Sequence, residues 1–354
     1  MRGLVKTGSG KGSSVFAEAL HCFSNFDKEG CPVFKNRHLR MHLLLIGLLL
    51  LTACAPSSAG EGREYPRHPI TYMIPFEPGG QSDIEARRQQ PVLEEELGQK
   101  VVITYKPGAG GAVGWSELVR QKPDGYYMAG INIPHIILQP LANDDTGYRT
   151  DQIEPIVIFQ STPVGLAVRK DSGIRSLEEF IEKAKEKPGA ITVAGSGTFS
   201  GHHLAFERLQ QLAGIRMKYV PFTGGATQMQ GFLGGNTDAI LANSNDLVAY
   251  RDRIQLLAIG SDERFGPLPD VPTFKELGYD MTASIDRGVA VPAGTPPGIK
   301  ETLEKAFKKI ADDPKIREQM MKEGFEPKAM GIAESEAYIE GKIEEHKPLI
   351  EMMK

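Results

Sequence analysis

The chain has 354 residues, 24% of them charged, and a formal net charge of −4 at pH 7. With no clustered basic face, that balance excludes a nucleic-acid footprint. Its cysteines, Cys22, Cys31 and Cys54, all precede the main body of the chain, which therefore carries neither a disulfide framework nor a thiolate metal site.

Residues 1–40 are polar, mixed and glycine-rich, and they precede a plausible start at Met41. They are read as a doubtful leader or a misplaced start and kept out of the fold argument. Leu43–Leu51 is an unbroken apolar run. A membrane-spanning helix needs about 20 such residues, so the run fits the core of a secretory signal instead. Leu51-Thr52-Ala53-Cys54 follows it and resembles a bacterial lipobox. The expectation is a signal peptide over 41–54, cleavage before Cys54, a lipid on Cys54, and a tether over 55–64. The protein would then sit outside the cytoplasmic membrane, anchored by that lipid.

From Ile70 onward, strand-like and helix-like runs alternate. Ile70–Phe76 and Val101–Tyr105 read as strands, and Ile84–Leu97 and Ala112–Gln121 as helices. Tyr126–Ile133, Ile153–Phe159 and Val164–Arg169 read as strands. Ser176 with Glu179 forms a capping box for a helix over Leu177–Lys187. Helices at His202–Ala213 and Ala226–Leu233 alternate with strands at Ile191–Ala194, Met217–Val220, Thr237–Ala242 and Ile254–Ile259. A short helix at Phe274–Leu277 and a strand at Gly288–Val291 precede helices at Pro297–Asp312, Lys315–Glu323 and Glu334–Met352. Such alternation predicts an α/β fold with mainly parallel sheets. The segments Pro163–Arg169 and Arg287–Pro292 bracket a self-contained stretch. They suggest two hinge crossings between two lobes: lobe one from 65–165 plus 287–354, and lobe two from 166–286. A cleft between lobes is a common ligand site.

Four strands end in glycine-rich turns that lead into helices: Pro78-Gly79-Gly80, Pro107–Gly111, Gly195-Ser196-Gly197 and Phe222–Gly225. A helix N-terminus carries unpaired N–H groups and partial positive charge. Glycine lets a ligand approach that backbone closely. Several such ends around one cleft would bind a small anion, most simply a carboxylate, without a basic side chain. The expected ligand contacts are Gly79, Gly80, Gln81 and Ser82 from one lobe. Gly195, Ser196, Gly197, Thr198, Thr223, Gly224 and Gly225 face them from the other. Glu77, Gly110, Asn132 and Arg287 are further candidates, with Arg287 equally suited to a salt bridge between lobes. Asp83 suits a cap on its helix better than a ligand contact.

Several blocks in order resemble the tripartite tricarboxylate transporter receptors, also called the Bug family. They begin with Phe76–Asp83 followed by Ala86-Arg87, then Leu97-Gly98-Gln99, Lys106–Gly111 and Lys122–Tyr126. Gly195–Thr198, Val220–Gly225, Leu268–Thr273 and Val291–Pro296 continue the series. The resemblance covers roughly Tyr65 to the C-terminus. It implies a two-lobed, Venus-flytrap receptor of the periplasmic-binding-protein type. Such receptors take a carboxylate and deliver it to two membrane permease subunits. A di- or tricarboxylate, an acidic amino acid and an aromatic acid all remain open as ligand, and the receptor is expected as a monomer without cofactor. Glu77 departs from the family pattern, where proline or alanine is usual. A carboxylate beside a carboxylate site is costly unless it meets a cation. Glu77 therefore either recognises an amine on a zwitterionic ligand or faces solvent at the cleft rim.

His202 and His203 point about 100° apart on a helix, which does not suit one metal ion. Gly108-x-Gly110-x-x-x-Gly114 and Gly195-x-Gly197-x-x-x-Gly201 miss the dinucleotide fingerprint by one position. No P-loop, nucleophile elbow or H-E-x-x-H zinc motif is present. An enzyme is therefore not expected. A ligand sensor of the same fold, feeding a signalling partner, is the alternative to a transport receptor.

Overall fold

The computed structural model describes residues 65–353, and the expectations for the leader, the signal, Cys54 and the tether lie outside them. Among the described residues, ten strands form one continuous hydrogen-bonded ladder that divides at a shared strand. The first elements are β1 (Ile70–Ile74), α1 (Gln81–Leu97), β2 (Val101–Tyr105), α2 (Ala112–Leu118), β3 (Tyr127–Ile133) and α3 (His135–Ala142). The shared strand β4 runs unbroken from Ile153 to Arg169. Lobe two adds α4 (Leu177–Glu186), β5 (Thr192–Ser196), α5 (Gly201–Ala213), β6 (Lys218–Phe222), α6 (Gly225–Leu233), β7 (Ala239–Asn243), α7 (Ser244–Tyr250) and β8 (Ile254–Ile259). The chain returns through β9 (Ser284–Pro292). It ends with α8 (Pro297–Ala311), α9 (Pro314–Lys322), β10 (Glu326–Met330) and α10 (Ile332–His346).

The first half of β4 pairs with β9 and β10, which completes the order β2-β1-β3-β9-β4-β10 in lobe one. Its second half pairs with β7 and β8, and β5 and β6 extend lobe two beyond β7. The outer strands are parallel, as expected. β4 and β9 run between the lobes in opposite directions, so every pair they make is antiparallel. At the crossing, Val164 N–H donates to Ala283 O, Ala283 N–H to Gly260 O, and Gly260 N–H to Val164 O, each at 2.8 Å.

Apolar residues that alternate along these strands build separate cores. Lobe one buries Tyr72, Trp115 and Phe307, with Val289–Val291 of β9 at its centre. Lobe two packs Phe180, Phe206 and Phe274 on one face of its sheet, and Phe232, Ile240 and Leu247 on the other. A fourth cluster joins Leu138 of α3, Leu204 of α5 and Ile350 near the C-terminus.

The two predicted strands at 153–159 and 164–169 are one. Pro155 sits at a register shift opposite β9, where a missing N–H costs no ladder bond. Residues 274–277 form turns rather than a helix. Helices α3 and α7 and strand β10 were not read from the sequence. Among the described residues, no helix is long and apolar enough to cross a membrane.

Candidate functional site

Strand β1 delivers the chain to Gly80, which caps α1 with extended backbone and no side-chain cap bond. Across the cleft, β6 delivers it to Gly224, which caps α6 in the same way. The first N–H groups of each helix have no partner within the helix. Gly80, Gln81 and Ser82 on one side and Gly224, Gly225, Ala226 and Thr227 on the other line one cavity of about 30 Å3. Two helix N-termini, one from each lobe, therefore bring partial positive charge to the same space.

Three strand ends supply the remaining wall. Asn132 lies near the end of β3, Asn243 at the end of β7, and Arg287 on β9 directly opposite Asn132. Arg287 is only 4% exposed. Its Nη1 donates to Thr162 Oγ1 at 2.7 Å, and its Nε has no partner among the described residues. Burial pushes the guanidinium down to about 10, opposed by the charges of Asp246, Glu85 and Asp286. It remains a cation at neutral pH.

The lobes touch around this cavity. Thr223 Oγ1 donates to Glu77 Oε1 at 3.0 Å. Gln81 Nε2 donates to Asp246 Oδ2 at 2.9 Å and also to Asn245 Oδ1. Further out, Gln139 Nε2 donates to Thr198 O at 2.8 Å. A Cβ built on Gly197 would stand 2.7 Å from Gly110 Cα, so these two glycines meet backbone to backbone.

The structure thus gathers Glu77, Gly80, Gln81, Ser82, Asn132, Ser196, Gly224, Gly225 and Arg287 at the cavity. It separates others from it. Gly79 N–H donates to Asp83 Oδ2 at 2.7 Å, so Asp83 acts within its own helix start and occupies that donor. Ser196 N–H donates to His202 Nδ1 at 3.1 Å, and Gly197 N–H to Phe222 O at 2.8 Å. The third turn therefore spends those donors inside lobe two and offers the cavity Ser196 alone. Gly195 packs against Tyr219 instead. Gly110 and Thr198 belong to the outer contact, and Thr223 reaches Glu77 rather than the cavity wall. Asn243, Asn245, Asp246 and Thr227 were not anticipated. Asn243-Ser244-Asn245-Asp246 is a polar run straight after an apolar strand, the same strand-to-helix junction without glycine.

His202 is buried beneath Ser196, whose Oγ lies 2.8 Å from its Nδ1. His203 diverges and stacks on Tyr219 at 4.5 Å. Among the described residues, no group of three or more His, Cys, Asp or Glu could hold a metal ion. A larger cavity of about 60 Å3 lies between Pro134, Leu204, Asp286 and His346. The C-terminal helix walls it, and the facing strand-end turns do not reach it.

Burial sets how the protein responds to acid. It pushes Asp246 up to about 6 and Glu85 up to about 7, with Arg287 opposing both shifts. It holds His202 down to about 3, His346 to about 4, and His135 well below the usual histidine value. Raised carboxyls take up protons in the folded state first, so their effect favours folding as pH falls from 7 towards 4. Depressed histidines take up protons in the unfolded state first, so theirs favours unfolding below about 6.5. Three histidines outweigh two carboxyls. Stability from urea titration should fall by about 2 kcal/mol between pH 7 and pH 5. A flat or rising profile would show that the buried carboxyls, not the histidines, dominate the response to acid.

The model of a family described as "Tripartite tricarboxylate transporter family receptor" matches residues 85–354. The "UPF0065 protein in gbd 5'region" of Cupriavidus necator is 30% identical over 303 residues, spanning 85% of this chain and 92% of that protein. The protein BugT of Bordetella pertussis is 29% identical, over 80% of this chain and 89% of its own. The solved structure of the periplasmic binding protein BugD superposes with a TM-score of 0.76 at 27% identity, covering 81% of this chain and 98% of that one.

Proposed function

Because the chain belongs to the tripartite tricarboxylate transporter receptor family, we propose that it captures a small carboxylate between its lobes and presents it to the two membrane subunits of such a transporter. It is a solute-binding receptor of the periplasmic type, a family of receptors rather than enzymes. The observation that carries the ligand class is the pair of helix N-termini, α1 and α6, facing one cavity beside the buried Arg287. A carboxylate placed there accepts from both lobes at once. It therefore favours the state in which they touch, which is the differential binding that closure requires. A cavity of about 30 Å3 holds roughly two waters. A larger solute has to enter through separated lobes. The crossings of β4 at Pro163–Val164 and of the returning chain at Ala283–Ser284 are the proposed hinge, and a lipid on Cys54 the proposed anchor.

The test is a thermal-shift screen of ligand-freed protein against carboxylates, followed by small-angle scattering with each hit. A ligand at 100 times its Kd stabilises by about 2.7 kcal/mol. A melting shift together with a smaller radius of gyration is the expected result. A hit that leaves the radius unchanged at saturation would refute capture by closure.

A further inference from the structure

Resting on the receptor reading, we infer that the cleft is built for a zwitterion: a ligand whose ammonium group is met by Glu77 and neighbouring acceptors while Arg287 meets its carboxylate. The unpartnered atoms at the cavity divide into both kinds. Arg287 Nε is a buried donor without an acceptor. Gln81 Oε1 and Asn132 Oδ1 are buried acceptors without a donor, on residues 5% and 4% exposed. The Gln81 amide has its orientation fixed, because its Nε2 meets the Asp246 carboxylate. Its oxygen is therefore left for something that donates. A carboxylate donates nothing and an ammonium offers three N–H groups.

The charges agree with the orphaned atoms. Glu77 and Arg287 are the charged residues that line the cavity. Asp246 stands just behind its wall, 3.6 Å from where a Gly225 Cβ would be. Arg88 pairs with Glu85 and Lys328 with Asp286, but Arg287 is the cation that acts on Asp246, so the Arg287 charge is already answered from within the protein. A dianion would add two negative charges to this set, an acidic amino acid one, and an amino acid with an uncharged side chain none. Glu77 is held at the cavity from the opposite lobe by Thr223, so a cation between the lobes would meet its carboxylate in the touching state.

The experiment uses full-length protein unfolded and refolded to remove carried ligand, titrated calorimetrically with pairs that differ in the amine alone. These are aspartate and succinate, glutamate and glutarate, and 2-aminohexanoate and hexanoate. In the pair that binds, the amine-bearing member should be tighter by roughly tenfold or more, the size of one charge-assisted hydrogen bond. Glu77→Gln should cut that preference to below about threefold, with circular dichroism showing the fold intact. Succinate, glutarate or hexanoate binding as tightly as its amine partner would overturn the zwitterion and leave the carboxylate receptor standing. A preference that survives Glu77→Gln whole would overturn the role of Glu77. If neither these pairs nor a wider carboxylate panel binds, the receptor reading itself fails.

Discussion

Arg287→Met is expected to abolish carboxylate binding and to destabilise the protein by about 3–5 kcal/mol, the usual cost of removing one partner from a set of buried charges. The side chain is almost wholly buried, and Asp246, Glu85 and Asp286 all act on it. Lys328 near Asp286 and Arg88 on Glu85 soften the loss, but Asp246 has no other cation among the causes that set its protonation. The loss should shrink from pH 8 to pH 5, where Asp246 and Glu85 take up protons and no longer need the cation. Urea titrations at both pH values, with calorimetry against the best carboxylate of the screen, measure the two effects. Arg287→Lys should recover part of the stability and less of the binding, because an ammonium lacks the planar fork. Wild-type affinity in Arg287→Met would remove Arg287 from the site.

The second large effect comes from side chains added where the lobes meet. Gly197 and Gly110 have φ of 78° and 63° and touch across the cleft. Gly197→Val forces the backbones apart by more than a side-chain rotation can relieve. Overpacking of this kind costs about 1–3 kcal/mol. That cost falls on the touching state alone, so affinity should drop by up to about a hundredfold. Strain from the positive φ adds about 1 kcal/mol to unfolding, as it would anywhere. Gly98→Val separates the two effects. Gly98 has φ 62° at the end of α1, away from the cleft, and a Cβ there would meet nothing within 4 Å. Gly98→Val should lose similar stability and keep wild-type affinity. Equal affinity losses in both variants would mean that strain, not closure, explains them.

Most of the cavity wall that was legible in the sequence is where glycine marks a junction, with Glu77, Asn132 and Arg287 named apart from any glycine. The junctions at Gly80 and at Gly224-Gly225 announced themselves because a capping position without a side chain stands out after an apolar strand. Asn243 and Asp246 sit at an equivalent junction but carry ordinary polar residues, which read as surface. The third turn misled for a different reason. Whether an N–H is free depends on what lies against it, and neither His202 Nδ1 beneath Ser196 nor Phe222 O beside Gly197 has a sequence signature. Helix α3 escaped notice because Pro134 precedes it and Pro140 lies inside it. Strand β10 is Glu-Pro-Lys-Ala-Met, with neither alternation nor β-branched residues. It forms because the free edge of β4 is waiting for it, a tertiary cause that local propensity does not contain. The lobes were visible because two extended segments far apart in sequence bracket a complete βα set. That β4 is one strand was hidden by the polar stretch Gln160-Ser161-Thr162 and by Pro163.

The position of β9 also governs the order in which the molecule can be made. It lies between β3 and β4 at the centre of lobe one, yet the ribosome delivers it only after every strand of lobe two. Until then β3 and β4 have no common neighbour, and the core around Val289–Val291 lacks its middle. The middle of the chain, with its own contiguous cores, is free to fold first. The ends wait for each other. A nascent chain is thus kept from locking its first lobe while synthesis continues. The same wait leaves one edge of β3 and both edges of the first half of β4 open to foreign strands, the interval in which such a chain most needs a chaperone.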